Sequence, residues 1–413
     1  MPSRHQPVRP LRSLPPTAAA RSSASRIAAR SRSGGSGTMR SSGLPAGPVM
    51  PGILAGILPA RKRGEGVKGR EARSDRDHVR RLAPALVAVT FLLALAPSAA
   101  AASWAQPQIR IAVKSGLMGP SADRFRPNAT LTRGELARIV GGLTGEPRTP
   151  ADPTRPVKLT ELNRALVRAL GLGPAAAEVQ AELVRRKLQP PQRAGWETVA
   201  RLLGLRFNHP KERDDRERRP ADPATRAEAA YSVAQALGLS SWHLDRTRER
   251  AEAFALPGLT AWQRKVLRRA VLFVGFPYVW GGMSENRQTL FGVTSRGGFD
   301  CSGFVWRVYK LQPWAGAPRL NTVIRGRTTY DMSGEVGLAK RYGRAKLRPA
   351  DVIFFGTNGR RSRPSQVTHA GIALGGGWFV HSSGNGTTIA PLEGWYVDTF
   401  AWARRPLAEA GLA

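Results

Sequence analysis

The sequence predicts an α+β protein: a mostly helical repeat region, then a domain in which one helix bearing the lone cysteine packs on an antiparallel sheet bearing histidines. Three observations carry this reading. The stretch "GGFDCSGFVW" (297–306) holds the only cysteine of 413 residues, Cys301. Asp300 before it and the apolar spacing Phe304, Val305, Val308 and Leu311 after it read as an N-cap and an amphipathic helix. Downstream, "ADVIFFG" (350–356), "THAGIALG" (368–375) and "WFVHSS" (378–383) are short apolar runs bounded by turns, which read as strands. Upstream, the order Pro, turn, Thr-Arg-x-Glu, apolar helix recurs between residues 106 and 250.

The chain begins with residues 1–79, a basic low-complexity leader rich in Arg, Ser, Pro and Gly. It is read either as disordered or as lying upstream of the true start. Residues 1–80 hold 16 Lys and Arg against 4 Asp and Glu, within a total net charge of +35. Such a chain attracts polyanions, either nucleic acid or wall polymers. Residues 80–105 separate these partners: Arg80 and Arg81, the run "LAPALVAVTFLLALA" and the small residues "PSAAAASWA" form a tripartite signal peptide. Export argues against nucleic acid. The apolar run is short for a transmembrane span, and no cysteine follows it to carry a lipid, so no stable membrane anchor is expected after cleavage, which would fall after Ala101, Ala102 or Ala105.

In the middle region, Thr132 with Glu135 and Thr225 with Glu228 stand at capping-box spacing, each pair enclosing an arginine, Arg133 or Arg226. A weaker copy lies at residues 154–172 and lacks the Arg-x-Glu pair. Capping explains the Thr and Glu but not the repeated Arg. With Phe125 and Pro127 ahead of the first copy, these segments resemble S-layer homology repeats. That resemblance implies that residues 106–250 bind anionic polymers of a bacterial wall. Between copies, "FNHPKERDDRERRPADP" reads as an exposed charged loop.

A thiol in the first turn of a helix meets exposed N–H groups and the positive dipole end, which favour thiolate. Gly297 and Gly298 are expected to leave the sulfur exposed, and Gly303 to keep a side chain away from substrate. A cysteine nucleophile needs a base, and of six histidines only His369 and His381 fall among the strands. They flank Gly375–Gly377. A three-residue loop there puts Leu374 opposite Trp378 and Gly371 opposite His381, with His369 diagonal to His381 on the same face. A loop of even length would send the two rings to opposite faces. No Cys/His cluster has metal-ligand spacing, and neither metal nor cofactor is expected.

The motifs "PYVWGG", "FDCSGFVW", "RPADVIFF", "VTHAGIALG" and "FVHSS" resemble, in order and spacing, the NlpC-type cell-wall peptidases, over about residues 259–409. The resemblance implies a papain-like domain that cuts peptidoglycan stem peptides between D-isoglutamate and a diamino acid. It implies Cys301 as nucleophile, His369 as base and His381 as the residue orienting it. Tyr278 then lies near the oxyanion, and Asp300 and Ser302 hold substrate. Ala350 departs from the glycine usual in that family. Two other readings stand beside this one: an N-acetylmuramoyl-L-alanine amidase, and an inert wall-binding protein. The expected location is secreted and wall-associated.

Overall fold

The computed structural model describes residues 103–412, so the leader and most of the signal peptide lie outside the described residues. Seven helices come first: α1 (Gln106–Lys114), α2 (Arg133–Thr144), α3 (Leu159–Ala169), α4 (Gly173–Arg185), α5 (Ala194–Leu202), α6 (Arg226–Gly238) and α7 (Ser241–Glu252). Helices α2 and α6 start as the sequence anticipates. The Thr132 hydroxyl accepts from the Glu135 N–H while the Glu135 carboxylate accepts from the Thr132 N–H, and Thr225 with Glu228 does the same. Each such cap contributes about 1 kcal/mol.

The three repeat copies close on one another in a ring. The Leu131 N–H donates to the Ala224 carbonyl (2.8 Å), the Ala224 N–H to Val157 (2.9 Å) and the Val157 N–H to Leu131 (2.9 Å). A helix start leaves its first N–H groups without intrahelical partners, and each copy lends its proline turn to the preceding one. Gly134 donates to Pro153, Thr160 to Pro220, and Ala227 to Pro127. One copy alone would leave these groups unpaired, so the three are interdependent. This pairing aligns Lys158-Leu159-Thr160-Glu161 with Thr132 to Glu135. The middle copy therefore keeps the Glu, whose carboxylate accepts from the Lys158 N–H (2.9 Å), and has Leu159 where the others have Arg.

The segment expected to be an exposed loop is instead largely packed. His209, Asp214, Glu217 and Asp222 are all buried. Lys211–Arg216 forms a 3-10 turn from which Asp214 accepts the Trp280 N–H (2.9 Å). Alternating charge looked like a solvated face, but three of its carboxylates turn inward to bind backbone and arginine partners, and the His209 ring packs on Trp104 and Phe207.

The remaining chain begins with α8 (Ala261–Val271), capped by Thr260 and Gln263. Two small ladders follow, β1 (Met283–Ser284) with β4 (Gly298–Phe299) and β2 (Gln288–Leu290) with β3 (Val293–Ser295). Helix α9 (Cys301–Tyr309) and the short α10 (Thr329–Gly334) precede the main sheet. Its strands are β5 (Val352–Gly356), β6 (Val367–Gly375), β7 (Trp378–Ser383), β8 (Gly386–Pro391) and β9 (Phe400–Arg404), in spatial order β8-β7-β6-β5-β9 and antiparallel throughout. The short helices α11 (Trp395–Asp398) and α12 (Pro406–Glu409) flank β9. The α+β class and the cysteine helix on an antiparallel sheet are as anticipated; β8 and β9 were not read from the sequence.

The β6–β7 turn reaches the anticipated parity by another route. Gly375 pairs with Trp378 across a two-residue turn, Gly376–Gly377, and a bulge at Leu374 absorbs the odd residue. The bulge restores the alignment of Gly371 with His381, so both histidines still share a face. Positive φ at Gly376 and Gly377 (60° and 80°) suits the primed turn that a two-residue hairpin needs.

Candidate active site

Cys301 opens α9, and the Asp300 carboxylate caps the helix by accepting from the Gly303 N–H. The cap is as anticipated, but the surroundings of the thiol are not. Cys301 is 8% exposed. Burial first, and the Asp300 charge second, push its thiol up to about 12, although the Ala370 and Ser302 amides and Arg327 pull the other way. The helix terminus therefore loses to desolvation, and the resting sulfur is a neutral thiol. Gly303 serves packing rather than substrate access, because a Cβ there would meet the Gly282 carbonyl at 1.9 Å. The Ala370 amide that faces the thiol belongs to the residue after His369, which places the sulfur against β6 beside that histidine.

The two histidines meet as the parity argument requires: His369 Nε2 lies 2.9 Å from His381 Nδ1. Phe379 stacks on the His381 ring at 4.6 Å, and Phe355, Trp395 and Tyr396 complete an apolar box around the pair. His381 is buried and His369 half-buried. Desolvation lowers His369 to about 4, and desolvation with the neighbouring His369 holds His381 well below the usual imidazole range. Both rings are neutral at pH 7. With Nε2 engaged by His381, the Nδ1 atom of His369 remains for a proton donor.

Tyr278 is half-buried beside the thiol, its phenol raised by burial and by the negative forms of Cys301, Asp300 and Asp214. Ser302 donates to Asp300 (3.1 Å) and accepts from Arg327 (2.7 Å). All six residues singled out from the sequence thus border one region, along α9, the β6–β7 pair and the segment before β1. Arg327 was missed. Its guanidinium binds Asp300 at 3.2 Å, and the Gly281 carbonyl at 2.8 Å. Only the need of the Asp300 carboxylate for a counter-charge hinted at it, and among 64 Lys and Arg that hint selects no position. Among the described residues no group of three metal-ligating side chains comes together.

Residues 275–405 match the model of the NlpC/P60 family, and residues 98–137 match that of the S-layer homology domain. Both families resembled by the motifs are therefore represented in the chain. Among curated relatives, the gamma-D-glutamyl-L-lysine dipeptidyl-peptidase of Bacillus subtilis is 26% identical over 30% of this chain and 33% of its own length. The probable peptidoglycan endopeptidase LytE of the same organism is 32% identical over 32% of this chain and 30% of its own. The murein DD-endopeptidase MepS/murein LD-carboxypeptidase of Escherichia coli is 33% identical over 32% of this chain and 60% of its own. The chain thus spans about a third of the length of the first two. A solved structure, the peptidoglycan hydrolase RipB of Mycobacterium tuberculosis, covers 40% of this chain and 80% of its own at 24% identity, with a TM-score of 0.27. No helix among the described residues is long and apolar enough to cross a membrane.

Proposed function

We propose that this protein is a secreted, wall-associated cysteine endopeptidase that cleaves peptidoglycan stem peptides with Cys301, His369 and His381. The observation that carries the reading is the 2.9 Å contact between the histidines next to a thiol that opens a capped helix. His369 Nδ1 takes the Sγ proton as sulfur attacks the amide carbon, then gives it to the leaving amine. Water, activated by the same nitrogen, releases the acyl group from sulfur. The Cys301 N–H and the Tyr278 hydroxyl are the donors assigned to the oxyanion, and a phenol kept protonated by burial suits that task. Asp300, Ser302 and Arg327 form the polar wall assigned to substrate. His381 accepts from His369 and fixes its orientation.

The bond assigned is that between D-isoglutamate and the diamino acid. The relatives' names cover several stem-peptide bonds, so the bond is decided by the products. The full chain, incubated with purified peptidoglycan and followed by mass spectrometry, should release fragments with a new D-isoglutamate carboxyl and a new diamino-acid amine, with Cys301→Ala as the control. Fragments with a free L-Ala amine would replace this reading by the amidase, and no release at all by a wall-binding protein. Residues 106–250, with the described part of the S-layer homology match, are assigned to anionic wall polymers and hold the enzyme at its substrate.

A further inference from the structure

The hydrogen bonding of the histidine pair does not stop at His381. Its second ring nitrogen, Nε2, lies 3.4 Å from the Tyr396 hydroxyl. Ser383, at the end of β7, lies beside that same phenol and accepts from the Asn385 N–H (3.4 Å). Tyr396 sits on α11, outside the strands that carry the histidines. Its ring packs against Phe379 at 4.9 Å and Phe355 at 5.4 Å. The turn before it is fastened from outside, because Glu393 pairs with Arg246 and Arg250 of α7.

Two neutral imidazoles that share a hydrogen bond must divide donor and acceptor, and there are two ways to do so. If His369 Nε2–H donates, His369 Nδ1 keeps its lone pair and can take the thiol proton. If His381 Nδ1–H donates, the His369 proton is left on Nδ1 and the base is lost. An acceptor at His381 Nε2 selects the first arrangement, because His381 is buried and a buried N–H left without a partner is costly.

Resting on the peptidase reading, we propose that Tyr396 is a positioning residue: with its own O–H turned toward Ser383, its oxygen accepts from His381 Nε2–H and so holds His369 in the tautomer that serves as base. Burial raises the phenol to about 12, so the hydroxyl stays intact at working pH.

The test is Tyr396→Phe in the full chain, which keeps the ring and its packing and removes one oxygen. Long-range 1H–15N spectra should show His381 protonated on Nε2 in the wild type and moved toward Nδ1 in the variant. On a stem tetrapeptide, kcat should fall about tenfold, as expected for one hydrogen bond worth roughly 1.4 kcal/mol, with KM unchanged. Ser383→Ala should shift both readouts in the same direction by less. The role is overturned if the wild-type His381 proton resides on Nδ1, or if Tyr396→Phe keeps both the tautomer and kcat. The spectra need no substrate, so a wild type that releases nothing from peptidoglycan would sink the peptidase reading alone.

Discussion

The repeat helices and the histidine-bearing sheet bury polar groups in opposite ways. In the repeat region several buried groups are charged and paired on the spot: Glu197 with Arg201, Glu228 with Arg206, and Arg226 with Glu135. Around the histidine pair the groups are titratable, buried and neutral, with Cys301 raised and both histidines lowered by desolvation. A buried ion pair fixes geometry but cannot exchange a proton cheaply. A buried neutral thiol and imidazole can, because transfer between them creates the charge only when the substrate arrives. The same physical cost, desolvation, is thus met by charge pairing in one region and by neutralisation in the other.

On the proposed peptidase activity, breaking the thiol and histidine side of this comparison should have the largest effect. Cys301→Ala and His369→Ala should each lower kcat/KM by at least about 10^3-fold, because members of a unit that acts together fail together. His381→Asn or His381→Gln retains an amide oxygen to accept from His369 Nε2–H and should keep measurable turnover, whereas His381→Ala should lose more. Kinetics on a stem tetrapeptide, with circular dichroism to establish folding, separates these outcomes. A folded His381→Asn and His381→Gln as dead as His369→Ala would make His381 a proton carrier, not an orienting residue.

On the paired side, the loss should fall on stability. Arg201 and Glu197 are 3.5 Å apart and each is about 1% exposed. Arg201 also donates to the carbonyls of Gly275 and Asn385, which ties α5 to the β7–β8 turn. Arg201→Ala leaves the Glu197 charge buried and should cost about 3–5 kcal/mol, a fall in Tm on the order of 10 °C by calorimetry. Arg201→Met with Glu197→Leu should recover much of that, since the pair is not needed once neither charge is present. If the double variant is no better than Arg201→Ala, the carbonyl contacts and not the charge pairing set the stability.

Acid sharpens the contrast further, because one buried group in each region, His369 and Glu217, responds with opposite sign. His369 has a folded pKa of about 4 against 6.5 when unfolded. The unfolded chain therefore takes up the proton first, and the stability from this group, complete above pH 6.5, is lost as pH falls toward 4. Glu217 is raised by burial to about 8 from 4.5, so its contribution is complete below pH 4.5 and is lost as pH rises through 8. Urea unfolding across this range should show the gap between wild type and His369→Gln narrowing on acidification. The gap between wild type and Glu217→Gln should move the other way, and parallel curves would refute the assignment.

What the sequence disclosed follows the range of the interactions involved. Local features were legible: the Thr132 and Thr225 boxes and the Asp300 cap depend on residues three apart or fewer. The histidine pairing was legible through parity, although the bulge at Leu374 that delivers it was not, since a bulge and an odd loop produce the same alternation. Arg327 reaches Asp300 across 27 residues, and nothing in its neighbourhood marks it. The thiol was misjudged because burial is a tertiary quantity, and the helix terminus is the only part of its environment written locally. Ala350 is a smaller instance of the same limit. Its departure from the usual glycine is visible in the sequence, but the reason that it matters, a φ of 71°, is not.

The smallest expected effect compares two arginines at one repeat position. Arg226 is buried: it donates to the Phe125 carbonyl (2.7 Å), pairs with Glu135 and stacks 4.5 Å over the Phe125 ring. Arg133 stands at the same place in the first copy, but the turn it faces has Ala151 where Phe125 would be, and its guanidinium has no hydrogen bond or ion pair among the described residues. One arginine is thus consumed in closing the ring, and the other has no such side-chain partner among the described residues. Arg226→Ala should lower Tm with the ring weakened. Arg133→Ala should leave Tm within about 1 °C and reduce sedimentation of the full chain with purified wall a few-fold at low salt, the difference shrinking as salt screens the charge. Equal wall binding by Arg133→Ala and wild type at low salt would show that the free guanidinium is only a solvated surface charge, and that the wall attraction lies elsewhere on this basic chain.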